Sequence, residues 1–195
     1  ALDAYASDVL EYGRRTNLTA AATAAEVWRR HILDGLAALA PLQERLAGTA
    51  RPRVVDLGCG GGFVGVALAV AWPEAEVWLV DAAYRKTSFL TWTTTRLRLG
   101  NARVVHGRAD GTPALELLRH AGGAAGREEP MADAVPARAL APREEAFTLA
   151  RPLCRPGGWT ALFASEAPQD GESESYRLPG EAKDRHIAFV HKEPT

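Results

Sequence analysis

The sequence has few cysteines and no long apolar run, and each scarcity excludes a class of protein. Its 195 residues include two cysteines, Cys59 and Cys154, which lie far apart. Two distant thiols supply neither a disulfide framework nor the ligand spacing of a zinc site, so we expect no metal and a reducing, cytoplasmic location. No apolar stretch approaches the roughly 20 residues that a membrane-spanning helix needs, and no signal peptide is visible at Ala1. We therefore expect a globular domain with no membrane partner.

The sequence also lacks an excess of positive charge. Its formal net charge is −1, which by itself argues against a nucleic-acid partner. The acids are unevenly spread, however, because six of them lie between residues 166 and 184 beside only two bases. Without that stretch, 18 acids face 21 bases. Charge therefore neither identifies nor excludes RNA as a partner.

Strand-like and helical patterns alternate along most of the chain. Strands are predicted at 53–57, 76–80, 102–106, 132–135, 159–164 and 186–191, and helices at 2–13, 24–40, 63–72, 84–98 and 144–150, with Pro41 ending or restarting the second helix. This alternation predicts an α/β fold in which helices cover both faces of a mostly parallel sheet. The acidic stretch 165–184 has little periodicity, so we expect a loop or partial disorder there.

The segment VVDLGCGGGFVG, residues 54–65, places an acid and then four glycines directly after the first predicted strand. Glycines at this point permit positive φ angles, and the next helix offers free N–H groups to a ligand. Two patterns fit. Gly58, Gly60 and Gly62 form the G-x-G-x-G of S-adenosylmethionine enzymes, and a G-x-G-x-x-G typical of dinucleotide binding begins at Gly60. Asp56 favours the first, because a carboxylate repels a pyrophosphate but attracts an ammonium and a sulfonium.

Two further acids follow predicted strands, where parallel sheets bind their ligands. Asp81 ends the second strand, and an acid there can accept hydrogen bonds from both hydroxyls of a ribose. Asp110 follows the third strand, where its side chain or a neighbouring amide would meet the amino group of an adenine. Both cofactor classes carry adenosine, so these two acids support an adenosine-containing ligand without choosing between the classes.

Seven short blocks resemble, in order, those of the bacterial 16S ribosomal-RNA guanine-N7 methyltransferases, which are also called glucose-inhibited division protein B. The blocks are NLTA (17–20), HILDGL (31–36), VVDLGCGGGFVG (54–65), LVDAAYRKTSFL (79–90), GRAD (107–110), ARALAP (137–142) and DRHIAFVHK (184–192). Each block alone is unspecific, but together they extend from Asn17 to Lys192.

The resemblance implies a Rossmann-like methyltransferase fold that uses S-adenosylmethionine, with a helical extension over residues 1–50 and the cofactor-binding domain over 51–195. It also implies 16S ribosomal RNA or the small ribosomal subunit as the partner of a monomeric enzyme. The cofactor positions that carry over are Gly58, Phe63, Asp81, Ala82, Ala83, Ala109, Asp110 and Arg138. Arg138 is also the one candidate for a catalytic role, and the candidate RNA contacts are Arg29, Arg30, His31 and Arg185.

The chain departs from the family pattern at three places. Val64 stands where the family has proline, and Ala164 and Ser165 stand where it has Lys-Gly. If that lysine is truly absent, we expect RNA contact or catalysis to be impaired. The stretch between the fifth predicted strand and the last one is also shorter than a crossover with a helix and a strand needs.

The chemistry implied by the resemblance agrees with what the sequence lacks. Guanine N7 has a lone pair and loses no proton on methylation, so positioning and desolvation carry most of the rate. The sequence has neither the Asn/Asp-Pro-Pro-aromatic motif of amino-methylating enzymes nor a Pro-Cys after the fourth strand. A methyltransferase for a small molecule or protein, a non-catalytic protein that binds an adenosine ligand, and an NAD-dependent oxidoreductase remain as alternatives.

Overall fold

The computed structural model describes residues 1–16, 18–108, 116, 118, 131–168 and 171–194, without the side chains of Arg14 and Arg15. The helices are α1 (Leu2–Thr16), α2 (Ala24–Val27), α3 (Leu33–Leu36), α4 (Leu39–Arg45), α5 (Gly65–Ala71), α6 (Tyr84–Arg96) and α7 (Arg143–Ala150). A π-helical turn (Trp28–Ile32) joins α2 to α3, and a 3₁₀ turn (Arg151–Leu153) follows α7. The strands are β1 (Arg53–Leu57), β2 (Glu76–Asp81), β3 (Ala102–His106), β4 (Ala132–Ala137), β5 (Cys154–Ala164), β6 (Glu172–Tyr176) and β7 (Arg185–His191).

The seven strands form one sheet in the order β3-β2-β1-β4-β5-β7-β6. The first five are parallel, whereas β7 runs antiparallel to both of its neighbours. Every residue of β1 is buried, as expected for a central parallel strand that is covered on both faces. The predicted α/β fold is confirmed. The order of the strands reverses between β1 and β4, and this switch point is where such sheets bind ligands.

Helices pack on both faces of the sheet. One hydrophobic cluster joins α1, α4, α5 and α6 to the sheet through residues such as Tyr5, Leu42, Val66 and Phe89. The other cluster lies on the opposite face, where α7 and Leu118 pack against β1, β2 and β4. The helices that precede β1 therefore share a core with the sheet.

Close backbone contacts fix the N-terminal helices against the glycine turn after β1. The hydroxyl of Tyr5 donates a 2.6 Å hydrogen bond to the carbonyl oxygen of Gly61. A Cβ at Gly35 would overlap the carbonyl oxygen of Phe63, so only glycine allows α3 to approach the turn this closely. The predicted helix over 24–40 is instead divided by the π-helical turn, and Pro41 lies within the first turn of α4.

The expectation of a loop or partial disorder over residues 165–184 is wrong in part, because Glu172–Tyr176 forms β6. The strand is polar on both faces, so its sequence lacks the apolar alternation that identifies a strand. Its backbone pairs with β7, and Arg45 of α4 makes ion pairs with Glu172 and Glu174. No helix lies between β5 and β6 in the described residues 165–168 and 171, so a short connection replaces the longer crossover.

Other boundaries shift by a few residues. β5 begins at Cys154 rather than at residue 159, and the helix predicted over 63–72 begins at Gly65, because Phe63 and Val64 still belong to the turn. Within the ranges given above, no helix is both long and apolar enough to cross a membrane.

Candidate functional site

The glycine turn after β1 has the backbone conformation that its sequence predicts. Gly58, Gly60 and Gly62 have φ angles of 66°, 59° and 84°, a region that residues with a Cβ rarely adopt. The turn is tied to the neighbouring strand by a 3.0 Å hydrogen bond from Cys59 N–H to the carbonyl oxygen of Val80. The turn is therefore a preformed cradle of backbone groups at the carboxyl ends of β1 and β2.

Asp56 lies beneath this turn and is buried. Its Oδ2 accepts a 2.7 Å hydrogen bond from the backbone N–H of Gly65, the first residue of α5. Burial raises the pKa of the Asp56 carboxyl to about 7, while the Gly65 hydrogen bond and the charge of Arg138 act in the opposite direction. The contact that the structure gives this acid is with the start of α5, and its attraction of a cationic ligand stays a prediction.

Asp81, at the end of β2, lies beside the glycine turn. Its Oδ2 accepts a 2.9 Å hydrogen bond from Gly60 N–H, and its Oδ1 accepts one of 2.8 Å from Ala83 N–H. The amine of Lys86 lies 3.7 Å from Oδ2. These contacts orient the carboxylate, and each of its oxygens keeps a second lone pair for a ribose hydroxyl.

A cavity of about 300 Å³ opens between the glycine turn and the ends of β2, β3 and β4. It brings together the predicted cofactor residues Gly58, Asp81 and Ala82 with Leu140 and Glu145. A Cβ at Gly58 would overlap the side chain of Leu140, so the bare backbone forms part of the wall. A glycine turn without intervening side chains and a carboxylate at the end of the second strand fit an adenosine-containing cofactor. Ala109 and Asp110, two further predicted cofactor residues, lie outside the described residues.

Arg138 does not line this cavity, although it follows β4 directly. Its Nη1 donates a 2.6 Å hydrogen bond to Oδ2 of Asp34, and its guanidinium lies 5.1 Å from the centre of the Phe63 ring. Asp34 is buried, with 2% of its surface exposed. Arg138 is thus a half-buried cation that a carboxylate of α3 holds against the glycine turn.

Asp34 has two further partners, both from the C-terminal strands. Its Oδ1 accepts hydrogen bonds from the hydroxyl of Tyr176 at 2.5 Å and from Nη1 of Arg185 at 3.1 Å. Burial, together with the hydrogen bond to Asp34, raises the pKa of the Tyr176 hydroxyl, so it stays protonated as a donor. Arg185 also makes a two-point ion pair with Glu181. One buried carboxylate therefore joins residues from α3, β4, β6 and β7.

His31 also belongs to this polar cluster, which contains Asp34, Arg138, Tyr176 and Arg185. Its ring is uncharged at neutral pH. Its ring stacks on Phe63 with centroids 4.2 Å apart, and its Nδ1 lies 3.4 Å from Nη2 of Arg138. Since the guanidinium can only donate, Nδ1 accepts and the proton lies on Nε2, which is 2.6 Å from the hydroxyl oxygen of Thr19. Burial and the charges of Arg138 and Arg30 lower the pKa of His31 to about 4.

A second cavity, of about 410 Å³, lies on this side of the sheet. Arg138, Phe163, Tyr176, Lys183 and Arg185 line it, together with Ala164 and Ser165 at the end of β5. The loop after β4 separates the two cavities, because Arg138 and Ala139 line one and Leu140 and Ala141 line the other. Ala139 has a φ of 53°, which is a strained conformation for alanine.

The candidate RNA contacts differ in how free they are. Arg29 and Arg30 are exposed on the π-helical turn, whereas His31 and Arg185 are partly buried within the polar cluster. Sequence reasoning did not select Tyr176 and Lys183 as site residues, because their segment was expected to be a loop. Asp34 was not selected either, and in the structure Arg138 contacts both Asp34 and His31.

Known proteins match this chain over most of its length. The family model described as rRNA small subunit methyltransferase G, or GidB, matches residues 1–192. The chain is 30% identical over 201 residues to the ribosomal RNA small subunit methyltransferase G of Myxococcus xanthus, covering 96% of this chain and 85% of the relative. It is 35% identical over 173 residues to the protein of that name from Leptothrix cholodnii, covering 87% and 70%.

Solved structures resemble the fold at low sequence identity. A SAM-dependent methyltransferase from Aquifex aeolicus superposes with a TM-score of 0.53 and 13% identity, over 84% of this chain and 91% of that one. A protein described as a predicted O-methyltransferase from Agrobacterium tumefaciens gives 0.54 and 19%, over 78% and 84%. Both likenesses show the fold alone.

Proposed function

The chain belongs to the rRNA small subunit methyltransferase G family, and we propose that it transfers the methyl group of S-adenosylmethionine to guanine N7 in 16S ribosomal RNA. Its relatives are named as ribosomal RNA small subunit methyltransferases. The observation that carries the proposal is the pair of cavities on either side of the loop after β4. Methyl transfer needs a donor and an acceptor side by side, and this loop has one cavity on each side of it.

The cavity lined by Gly58 and Asp81 is the donor side, where the chain's own groups would hold the cofactor. The carboxylate of Asp81 would accept hydrogen bonds from the ribose hydroxyls, and the backbone at Gly58 and Gly60 would let the ligand approach closely because no Cβ intervenes. The bound cofactor supplies a methyl group that a positively charged sulfur makes electrophilic. Asp56 contributes negative charge beneath the turn in the fraction of molecules in which it is ionised.

The cavity lined by Arg138, Tyr176 and Arg185 is the acceptor side, where the residues would position a base and exclude water. Guanine N7 attacks with a lone pair that lies in the plane of the ring, so no residue needs to remove a proton. The state of His31 is consistent with a reaction that needs no general base. Its pKa is lowered, and its ring nitrogens already contact Thr19 and Arg138, so it acts as a packing partner. Arg138 keeps a planar guanidinium at the cavity wall, where it can stack on a base or pair with a phosphate.

Lys183 supports the acceptor role of the second cavity despite the missing Lys-Gly after β5. Ala164 and Ser165 provide no charge at that point, but Lys183, which precedes β7, lines the same cavity. We propose that its amine replaces the absent lysine as a contact for RNA phosphate. The proposal also covers the finer assignments: a monomeric, cytoplasmic enzyme with residues 1–50 as its helical extension.

The test is transfer of a labelled methyl group into 16S RNA or small subunits from a strain that lacks the native enzyme. We expect methylation of this RNA, little methylation of RNA that already carries the modification, and a fall in rate as salt rises, because phosphate contacts release counterions. Equal transfer into both RNA samples would contradict the substrate. Micromolar binding of NAD in place of S-adenosylhomocysteine would contradict the methyltransferase itself.

A further inference from the structure

A third cavity, larger than either cavity of the site, is a groove outside both of them. It has a volume of about 660 Å³ and lies between α6 and the edge strand β3. One face of α6 lines it through Tyr84, Thr87, Ser88, Thr91, Trp92, Thr95 and Arg96, and β3 contributes Val104 and His106. From Tyr84 to Arg96 the groove follows the helix for about 18 Å. Neither the donor cavity nor the acceptor cavity shares a residue with it.

The groove holds the two exposed large hydrophobic side chains of the described chain. Tyr84 is 72% exposed and Trp92 is 43% exposed. Tyr84 meets the ring of His106 edge-on at 5.7 Å, and Trp92 packs beside Tyr12 and Phe89, so both rings have a fixed support. Threonine and serine hydroxyls lie between them. Two supported rings separated by hydroxyls form a surface on which flat, polar groups can stack.

The segment that supplies the groove is positively charged, although the whole chain is slightly negative. The 27 residues from Ala82 to Arg108 contain no acid and six bases. Of these bases, Arg85, Arg96, Arg98 and Arg108 are exposed. Two acids from outside the segment contact these bases. Asp8 of α1 forms an ion pair with Arg96, and Asp81 lies near Lys86. A polyanion is therefore the partner that this surface favours.

The groove also has a defined relation to the reaction site. Tyr84 begins α6 three residues after Asp81, and Arg108 lines the donor cavity at the end of β3. Leu118, in the connection after β3, packs in the cluster on the opposite face of the sheet. The groove therefore begins at the carboxyl edge of the sheet, beside the cofactor side, and leads away from it.

We propose that this groove binds a single-stranded segment of the substrate RNA, with bases stacked on Tyr84 and Trp92 and phosphates near Arg85 and Arg98. The inference rests on the proposed function for the identity of the RNA. Stacking on aromatic rings accepts any base, so the groove adds affinity and reach rather than sequence selection. It would hold RNA beside the cofactor cavity while the acceptor cavity holds the methylated base.

The test measures RNA binding without turnover, by the fluorescence anisotropy of a labelled 12-nucleotide single-stranded RNA. We expect Tyr84→Ser/Trp92→Ser to weaken binding at least about tenfold, because each ring supports a base. Tyr84→Phe and Trp92→Phe keep a ring and are expected to retain affinity within about threefold. Arg85→Ala/Arg98→Ala should lower the slope of log affinity against log salt by about 1.4, from two lost phosphate contacts.

Affinity for S-adenosylhomocysteine and the thermal midpoint are measured on every variant. Tyr84→Ser alone preserves the test if the double variant does not fold, because Tyr84 is the more exposed ring. RNA affinity equal to that of the parent in the serine variants would overturn the proposal. So would a loss confined to assembled small subunits with no loss on free RNA, since the groove would then contact a ribosomal protein. If the parent binds RNA through these rings but methylates none, the groove stands and the proposed function falls.

Discussion

The donor side and the acceptor side of the loop after β4 differ in the groups that form their hydrogen bonds. On the donor side, backbone N–H groups of Gly60, Ala83 and Gly65 bind the carboxylates of Asp81 and Asp56, and all of these residues lie within 30 positions of one another. On the acceptor side, side chains bind side chains over long separations. Asp34 contacts Arg138, Tyr176 and Arg185, which are 104, 142 and 151 residues away.

This difference predicts that the donor side is rigid and that the acceptor side can adjust its side chains. Backbone groups in a strand–turn–helix have little freedom once the sheet has formed, so the donor side is preformed. The acceptor side depends on the buried carboxylate of Asp34. This carboxylate binds the guanidiniums of Arg138 and Arg185 and the phenol of Tyr176. The donor side should therefore respond to substitution with a loss of affinity, and the acceptor side with a loss of stability and turnover.

The largest effect is expected for Asp34→Asn. The substitution leaves Arg138 and Arg185 without their shared counter-charge in a partly buried cluster, so the free energy of unfolding should fall by about 2–4 kcal/mol. Urea unfolding measures this. The matched control is Asp184→Asn, whose ion pair with Arg177 is exposed on both sides and should have no measurable effect. Equal stability of both variants would show that Asp34 is not the centre of the acceptor side.

Asp81→Ala should weaken the binding of S-adenosylhomocysteine by about 1–3 kcal/mol, through the loss of charge-assisted hydrogen bonds to ribose. Calorimetric titration measures the loss. Glu145→Ala is the control, because Glu145 lines the same cavity from α7, away from the end of β2. If the two variants bind the ligand equally well, the ribose site is not at Asp81.

The sequence predicts the donor side better than the acceptor side for a physical reason. Local rules identify a strand, a glycine turn and an acid at the next strand end, and the structure has all three where they were expected. No local rule links Asp34 to Tyr176, since the pairing depends on β6, a polar edge strand that lacks apolar alternation. The resemblance to the family identified Arg138, but the sequence could not show that its carboxylate partner, Asp34, is on α3.

His31 gives the acceptor side a specific dependence on pH. Its folded-state pKa of about 4 lies below the unfolded value, so the unfolded chain binds the proton first and stability falls as pH drops from about 6.5 towards 4. His31→Gln should lose less stability than the parent between pH 7 and pH 5 in urea unfolding experiments. Carboxylates titrate in both proteins, so the difference between them isolates this group. Parallel pH profiles would contradict the lowered pKa.

The smallest effect is expected at the loop that separates the two cavities. Ala139 has a φ of 53°, and glycine adopts that angle without strain. Ala139→Gly should therefore raise the free energy of unfolding by up to about 1 kcal/mol, after the greater entropy of glycine in the unfolded chain is subtracted. A loss of stability on urea unfolding would mean that the loop carries no strain of this kind.

The most direct test of two separate sides is the effect of Arg138→Lys on the turnover of 16S RNA relative to its effect on affinity for S-adenosylhomocysteine. Lysine keeps the charge but cannot hold Asp34 and a base with one planar group. We predict that kcat falls about tenfold or more, whereas the Kd of the cofactor product changes less than about threefold. Equal losses in turnover and in cofactor affinity, or normal turnover with RNA, would contradict the account.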